Sequence, residues 1–267
     1  METVSVQIQN LCVPCACRCR HCLLSWDGKT VGIPWERGLA FAARFRDWQR
    51  EHRPELGFGF SFGCSMEHPQ LQTALRQLRA LGSPQTEFLQ CDGMAMRTET
   101  ECRDLARMLA QEGVKALNFT FYGLAEYHDR FAARPGEFEL LLRMADAAAA
   151  AGLARSAGIM LTEENVRQAD TLAEKLRGAG IDRLRLFVPH EEGRGAALDA
   201  VRLREESLRH LSENTRSLLN QAVYRPERDW LAAGFFAGET RRSLLSLYAI
   251  LQLLHFALPY ITDPQRP

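Results

Sequence analysis

The sequence predicts an α/β fold in which six parallel strands and their helices close or partly close a barrel. Two observations lead to this prediction. Apolar β-like runs alternate with amphipathic helical runs over residues 4–188, and several helical runs carry a start or stop signal, such as Pro34 or Gly82. Regular βα alternation implies parallel strands that are joined by right-handed crossovers. Six units are fewer than the eight of a complete TIM barrel.

The strands are short apolar runs that end at polar or glycine-containing segments. They are predicted at residues 4–11, 56–62, 86–90, 116–122, 157–161 and 183–188. The helices between them carry apolar residues at intervals of three and four. They are predicted at residues 34–50, 71–81, 99–111, 138–151 and 166–177.

The last part of the chain has a different pattern. From Ala200 onward only helical periodicity remains, and it predicts helices at 201–212 and at about 225–258. We therefore expect two domains, a barrel over residues 1–195 and a C-terminal helical cap over residues 196–267.

Composition excludes some classes of protein. Lys plus Arg and Asp plus Glu each total 33, so the formal charge is zero, which argues against a nucleic-acid scaffold. The longest apolar stretch, 244–261, contains Gln252, His255 and Pro259, so it does not predict a membrane span. The first residues show neither a basic region nor an apolar signal-peptide core, which predicts a cytoplasmic protein.

Five cysteines occupy residues 12–22, and three of them, Cys15, Cys19 and Cys22, have the spacing C-x3-C-x2-C. Three thiolates can hold a 4Fe–4S cluster and leave one iron without a protein ligand. An open coordination position distinguishes a catalytic metal site from a structural one. The segment therefore predicts a cluster that can bind and activate a small molecule.

Spacing alone leaves other interpretations of these cysteines. Cys12 with Cys15, and Cys19 with Cys22, form two C-x2-C pairs, which is a zinc pattern. Zinc sites of this kind usually have about 12 or more residues between the pairs, whereas here only residues 16–18 intervene. Disulfides are a further alternative, although they rarely persist in a reducing cytosol.

Polar and titratable residues follow every predicted strand. In parallel barrels the active site lies at the carboxyl ends of the strands, so these segments are candidates for the site. After the cysteine segment they are residues 63–69, 90–93, 118–123, 161–165 and 189–194.

The cysteine spacing and the six βα units together resemble the radical S-adenosylmethionine (SAM) superfamily, over roughly residues 4–195. The resemblance implies a partial (β/α)6 barrel with the cluster loop after the first strand. It implies that Cys15, Cys19 and Cys22 ligate one 4Fe–4S cluster, whose open iron binds the amino and carboxylate groups of SAM. Reductive cleavage of SAM would then give a 5′-deoxyadenosyl radical that abstracts hydrogen from a substrate.

The resemblance also assigns SAM contacts outside the cluster. They fall on His21, Ser65, Glu67, Asp92, Thr120, Asn165 and Arg194. His21 would pack near the adenine, and Glu67 would face the SAM ammonium unless it is only a helix-start glutamate. Asp92 would either contact SAM or serve only as a turn residue, because Asp-Gly is a turn signal on its own. Arg194 either binds a carboxylate or caps the barrel.

Cys64, Cys91 and Tyr122 are predicted just past strand ends, where a thiol or phenol could return a hydrogen atom to a substrate radical. The alternative is that the thiols only fill space in the core, as buried cysteines commonly do. Cys12 and Cys17 lie outside the ligand spacing, and Cys102 falls on a predicted helix, which indicates a structural role.

The resemblance further implies an external electron donor of the flavodoxin or ferredoxin type. Because no cysteine follows Cys102, one cluster is expected. The expected substrate is a ribosomally made peptide or a natural-product intermediate. The alternatives are isomerisation or rearrangement of a small metabolite, and a non-catalytic iron–sulfur or zinc protein.

Overall fold

The fold is described by a computed structural model for residues 5–10, 15–22, 34–62, 65–83, 87–189 and 193–219. The strands are β1 (Ser5–Asn10), β2 (Gly57–Phe62), β3 (Phe88–Gln90), β4 (Ala116–Phe121), β5 (Ala154–Met160) and β6 (Arg183–Phe187). The α-helices are α1 (Trp35–His52), α2 (Leu71–Ala80), α3 (Glu99–Gln111), α4 (Ala125–Ala132), α5 (Glu137–Ala150), α6 (Ala169–Gly178) and α7 (Glu213–Arg216).

Every strand pair is parallel. β1 pairs with β2 in one sheet, and β3, β4, β5 and β6 pair in chain order in a second sheet. Helices connect the successive strands of the second sheet. The predicted parallel α/β architecture is therefore confirmed. In the described part of the chain no ladder joins β2 to β3, so closure into a barrel stays a prediction.

The two faces of the four-stranded sheet differ in polarity. Leu117, Phe119 and Phe121 on β4 are fully buried in the main hydrophobic core, together with Phe138 of α5. Asn118 and the other intervening residues point to the opposite face, because successive side chains of a strand alternate. This second face, the concave face, carries polar side chains, and it ends beside the cysteine segment.

The predicted helices that lie in the described residues are confirmed, with one addition and one error. The addition is α4, an eight-residue helix, which is too short to stand out by periodicity. The error is the helix predicted at 201–212. That segment forms 3-10 turns over Gly193–Val201 and Glu205–His210, and only then begins α7.

Contacts with distant residues explain this error. The Glu163 carboxylate accepts hydrogen bonds from the Arg204 N–H and the Ser207 hydroxyl, and Asp170 accepts from the Ser212 N–H. These bonds tie the segment to the loops around α6 and interrupt a continuous helix. The helix predicted at about 225–258 lies outside the described residues.

Residues 196–219 pack against the preceding α/β part of the chain, because Leu203, Leu208, Leu211 and Leu219 belong to the main hydrophobic core. The predicted domain boundary at residue 195 stays a prediction. In the described ranges, no helix has the length and apolar character that a membrane span requires.

Helix α4 ends at a strained residue. Ala133 has φ 52° and ψ 43°, the left-handed conformation, and in the described residues it is the non-glycine residue with positive φ. The Cβ atom of an L-residue makes this conformation unfavourable by about 1–2 kcal/mol. Ala133 is exposed, so little packing depends on its methyl group.

We expect Ala133→Gly to raise the free energy of unfolding by about 0.5–1 kcal/mol, because relief of strain outweighs the extra entropy of glycine in the unfolded chain. Urea unfolding followed by circular dichroism measures the change. As a control, Ala149→Gly at an exposed site within α5 should lower the same quantity by about 0.5–1 kcal/mol. A loss of stability in both variants would contradict the assignment of strain at Ala133.

Candidate functional site

The cysteine segment, residues 15–22, lies against the loop after β3 and the end of α4. Its main-chain N–H groups donate to carbonyl oxygens of both elements. The bonds are Ala16 to Gly93 at 2.8 Å, Arg18 to Ala132 at 2.9 Å and Arg20 to Phe131 at 3.0 Å. Because these acceptors follow β3 and β4, the segment is held at the carboxyl ends of the parallel strands. This is the edge at which sequence reasoning placed the site.

Gly93 allows the closest approach in the site. It has φ +68°, and a Cβ atom on this residue would clash with the sulfur of Cys15. Only glycine combines this conformation with space for the neighbouring sulfur. The main chain of the turn after β3 thus packs directly against Cys15, the first cysteine of the predicted ligand set.

Cys15, Cys19 and Cys22 are half-buried, whereas Cys17 is buried. Three accessible thiols on one segment are the donor set that a 4Fe–4S cluster with an open iron requires, and Gly93 makes room for one of the sulfurs. The residues therefore fit such a cluster. No three His, Cys, Asp or Glu side chains of the described residues converge as they would on a single metal ion.

The side chain of Cys17 lies between the predicted ligands. Hydrogen bonds with Cys15 and Cys19, followed by burial, raise the pKa of its thiol, which therefore stays neutral. The Cys17 side chain is buried among hydrophobic side chains. That Cys17 is not a ligand stays a prediction.

A second hydrophobic cluster surrounds the cysteines, separate from the main core. Its buried members are Cys17, Tyr122, Tyr127, Phe131, Ala132, Met160 and Leu198. Cys15, Cys19 and Phe187 pack against it at partial exposure. Apolar side chains on this scale exclude water and lower the local dielectric, which strengthens electrostatic interactions with any bound charged group.

Tyr122, at the end of β4, contacts the cysteine segment. Its hydroxyl donates a hydrogen bond to the Cys19 sulfur at 3.4 Å, and its ring packs on His21 with the centroids 5.1 Å apart. Burial, and then the neighbouring Cys19, raise the pKa of the phenol well above its usual value. The phenol thus remains protonated and can act as a donor toward the sulfur.

The structure corrects the prediction that the Cys91 thiol faces the site. Cys91 is fully buried in the main core, and its thiol contacts the sulfur of Met94 at 3.5 Å. It shares the core-facing side of β3 with Leu89, so the neighbouring Gln90 and Asp92 face the site instead. Burial raises the pKa of this thiol. Cys64 lies outside the described residues.

Glu67 has a different partner from the expected one. Its carboxylate forms an ion pair with Arg97 at 2.6 Å and accepts the Ala95 N–H at 2.9 Å. The charge of Glu67 is thus already balanced within the protein, and it fastens the loop between β3 and α3. Ser65 begins the 3-10 turn that carries Glu67, which spans Ser65–Glu67.

Asp92 and Thr120 are brought together at the ends of β3 and β4. One carboxylate oxygen of Asp92 accepts the Thr120 N–H at 2.8 Å, and the other accepts from the Gln90 side chain. Burial raises the pKa of Asp92 to about 7, against the opposing effect of these bonds. The Asp92 carboxylate replaces a main-chain acceptor where β3 turns away from β4.

Asp92 is the end point of a chain of hydrogen bonds across the concave face. The Ser156 hydroxyl donates to Asn118 at 2.8 Å, and the Asn118 amide donates to Gln90 at 2.7 Å. The Gln90 amide in turn donates to Asp92 and, at 3.2 Å, to the Thr120 hydroxyl. All donors point the same way, so their dipoles add at Asp92.

Asn165 and Arg194 position the strand ends and the cysteine segment. Asn165 is 1% exposed; its amide oxygen accepts the Thr162 N–H, and its NH₂ group donates to the carbonyls of Met160 and Tyr122. This leaves no polar atom of Asn165 for a ligand, in contrast to the expected SAM contact. Arg194 donates from Nε to the Cys19 carbonyl at 3.0 Å.

Sequence reasoning missed Glu137. This residue is 2% exposed at the start of α5, and its carboxylate forms an ion pair with Arg134 at 3.0 Å. It also accepts hydrogen bonds from the Gly93 N–H and the Cys17 thiol. Burial raises its pKa. The polar first turn after Gly136 is the sequence signal that points to it.

A second missed contact joins the cysteine segment to the loop after β5. Arg20 and Glu164 form an ion pair at 2.6 Å, and the Tyr127 hydroxyl donates to the same carboxylate at 2.8 Å. The Arg20 guanidinium also lies over the Phe131 ring, 5.3 Å from its centroid. Glu164 follows Arg20 by 144 positions, so the sequence gives no local sign of the pairing.

No protein-family model matches the chain, and no curated protein matches it in sequence. Solved structures are similar. SuiB from Streptococcus suis bound to precursor peptide SuiA has a TM-score of 0.52 and 11% identity, over 71% of this chain and 40% of that chain. The protein anSMEcpe with bound AdoMet has a TM-score of 0.51 and 14% identity, over 71% of this chain and 50% of that chain.

A further structure, anSMEcpe with bound AdoMet and Cp18Cys peptide, has a TM-score of 0.50 and 13% identity. The match covers 70% of this chain and 51% of that chain. At these identities the similarity shows the fold, and the chain spans about half or less of the length of these proteins.

The raised pKa of Asp92 predicts that metal-free protein loses stability as the pH rises. The folded state holds the Asp92 proton up to about pH 7, whereas the unfolded chain releases it near 3.8. Ionisation is thus costly only in the folded state. Since Asp92 keeps partial exposure, we expect a loss of about 2 kcal/mol between pH 5 and pH 8. Urea unfolding of Asp92→Asn should lack this loss; an unchanged pH profile would contradict the assignment.

The contacts of Glu137 predict a large effect of its removal. We expect Glu137→Ala to lower the free energy of unfolding by about 3 kcal/mol, because the Gly93 N–H loses its acceptor and Arg134 loses its counter-charge. Glu137→Gln retains an acceptor and should cost about 1 kcal/mol. The control Glu139→Ala, at an exposed position in the same helical turn, should stay within about 0.5 kcal/mol of wild type. Equal effects at both positions would refute the role of Glu137.

Proposed function

We propose that this protein is a radical SAM enzyme that holds one 4Fe–4S cluster through Cys15, Cys19 and Cys22. The observation that carries the proposal is the position of the C-x3-C-x2-C segment. It lies at the carboxyl ends of parallel strands, in a fold shared with SuiB and anSMEcpe, and buried aromatic side chains surround it. Function is argued from this site, because a fold alone does not define a reaction.

When bound, the cluster and SAM supply an organic radical that abstracts hydrogen from a substrate. The chain contributes the surroundings. Gly93 leaves space for the Cys15 sulfur, and Arg194 and the neighbouring main chain fix the carbonyls of the segment. The apolar cluster around Tyr122 and Phe131 keeps water away from a reactive species.

SAM is proposed to bind between the cysteine segment and the concave face. His21 packs against Tyr122 and Phe131 and offers a ring for the adenine. Thr120 presents a hydroxyl on the concave face next to Asp92. We assign Glu67, Asp92, Asn165 and Arg194 to support of these loops, since each has protein partners; Ser65 stays a proposed main-chain contact.

The proposed substrate is a peptide. Support comes from the structures of SuiB bound to precursor peptide SuiA and of anSMEcpe with Cp18Cys peptide. An external flavodoxin or ferredoxin is proposed to deliver the electron. Incubation of the reduced protein with candidate precursor peptides, followed by mass spectrometry, tests the substrate class. Modification of a small metabolite in place of any peptide would contradict the proposed substrate and favour isomerisation or rearrangement of a metabolite.

The predicted ligand set is tested by single replacements with a matched control. After anaerobic reconstitution, the wild type should bind about four irons per chain and, with dithionite and SAM, release 5′-deoxyadenosine. Cys15→Ala, Cys19→Ala and Cys22→Ala should lose the cluster and this activity. Cys17→Ala, in the same segment, should retain about four irons, because Cys17 is outside the ligand spacing.

Iron analysis, visible absorption and chromatography of the nucleoside measure these outcomes. Zinc in place of iron, or a cluster without cleavage of SAM, would overturn the proposed function. Loss of iron in Cys17→Ala together with full loading of one of the other three variants would reassign the ligands.

A further inference from the structure

The proposed ligand Cys19 has a hydrogen-bond donor on the protein side. The Tyr122 hydroxyl lies 3.4 Å from the Cys19 sulfur, and Tyr122 is 4% exposed. A tyrosine hydroxyl is a donor whose proton can be aimed by rotation about a single bond. In the described structure the hydroxyl of this buried tyrosine donates to the Cys19 sulfur.

The Tyr122 ring is fixed from both sides. It lies 5.0 Å from the His128 ring at an interplanar angle of 23°, and 4.7 Å from Phe131. The Tyr122 N–H donates to Nδ1 of His128 at 3.2 Å, and the Tyr122 carbonyl accepts from Asn165. Backbone and ring are therefore both restrained, so the direction of the hydroxyl follows from the packing.

We propose that Tyr122 is a positioning residue that sets the reduction potential of the cluster by donating a hydrogen bond to the Cys19 sulfur. The proposal rests on the proposed function. A hydrogen bond to a ligand sulfur draws electron density from the metal, and so it favours the reduced form of the cluster. Tyr122 thereby makes reduction by an external donor easier.

This role differs from the hydrogen donor predicted from sequence. A donor to a substrate radical has to release its hydrogen atom into the substrate cavity, whereas here the hydroxyl points at Cys19. The two roles make different predictions for a measurement without substrate. Only the hydrogen bond to sulfur changes the reduction potential of the resting cluster.

The test is Tyr122→Phe, which removes the hydroxyl and keeps the ring. The reconstituted protein, without SAM or substrate, is titrated with dithionite in the presence of mediators, and the reduced cluster is counted by electron paramagnetic resonance. We expect the midpoint potential to move to a more negative value at unchanged iron content. The reduced fraction at the wild-type midpoint should then fall below one half.

Tyr127→Phe is the matched control. Tyr127 belongs to the same hydrophobic cluster and is 5% exposed, but its hydroxyl contacts Thr162 and Glu164 rather than a cysteine. Its midpoint should equal that of wild type. An unchanged midpoint in Tyr122→Phe, or an equal shift in Tyr127→Phe, would overturn the proposal.

A second variant keeps the test decisive if Tyr122→Phe binds less iron. Replacement of Tyr122 by 3-fluorotyrosine gives a more acidic phenol and a stronger hydrogen bond, so the midpoint should move to a less negative value. No shift would again refute the role of Tyr122. Failure of the proposed function is separate, because it would show in the wild type as absence of the cluster or of SAM cleavage.

Discussion

The attachment of the cysteine segment to the ends of β3 and β4 is the constraint on which the site depends. Ala16 bonds to Gly93 and Arg18 bonds to Ala132, so the segment is tied to two successive βα connections. A short segment with three thiols has little structure of its own. Its conformation therefore depends on the strand ends, and these depend on the core beneath the sheet.

Several buried polar groups serve this attachment rather than a ligand. Glu137 accepts a hydrogen bond from the Gly93 N–H. Asn165 joins the ends of β4 and β5 by donating to the carbonyls of Tyr122 and Met160. A polar group that is buried without a partner is costly, and each of these side chains has main-chain partners. The positions of the strand ends around the site are thus fixed by buried hydrogen bonds within the protein.

The order of strands and helices was predictable from sequence, but the direction of individual side chains was less so. Alternation and glycine stops indicated β3 within two residues, yet Cys91 was expected to face the site. In a strand, a shift of one residue turns a side chain to the other face. Cys91 follows Leu89 into the core, and Asp92 follows Gln90 to the concave face.

Contacts between residues that are far apart in the chain could not be predicted from the sequence either. Glu67 matched a family motif, but its ion pair with Arg97 depends on how two loops meet. Arg20 and Glu164 are separated by 144 positions. The same limit explains the segment after residue 200, where leucine periodicity favoured a helix and hydrogen bonds to Glu163 and Asp170 favoured 3-10 turns.

Arginine side chains anchor the cysteine segment through its main chain. Arg18 donates to the carbonyls of Cys15 and Cys17, and Arg194 donates to the carbonyl of Cys19. Each guanidinium thus satisfies backbone acceptors of the segment and helps to hold the adjoining cysteines in place. Both bonds of Arg18 come from Nη1, so one end of the guanidinium satisfies two carbonyls of the segment. Arg18 and Arg194 therefore contribute to the conformation of the segment, beyond any effect on solubility.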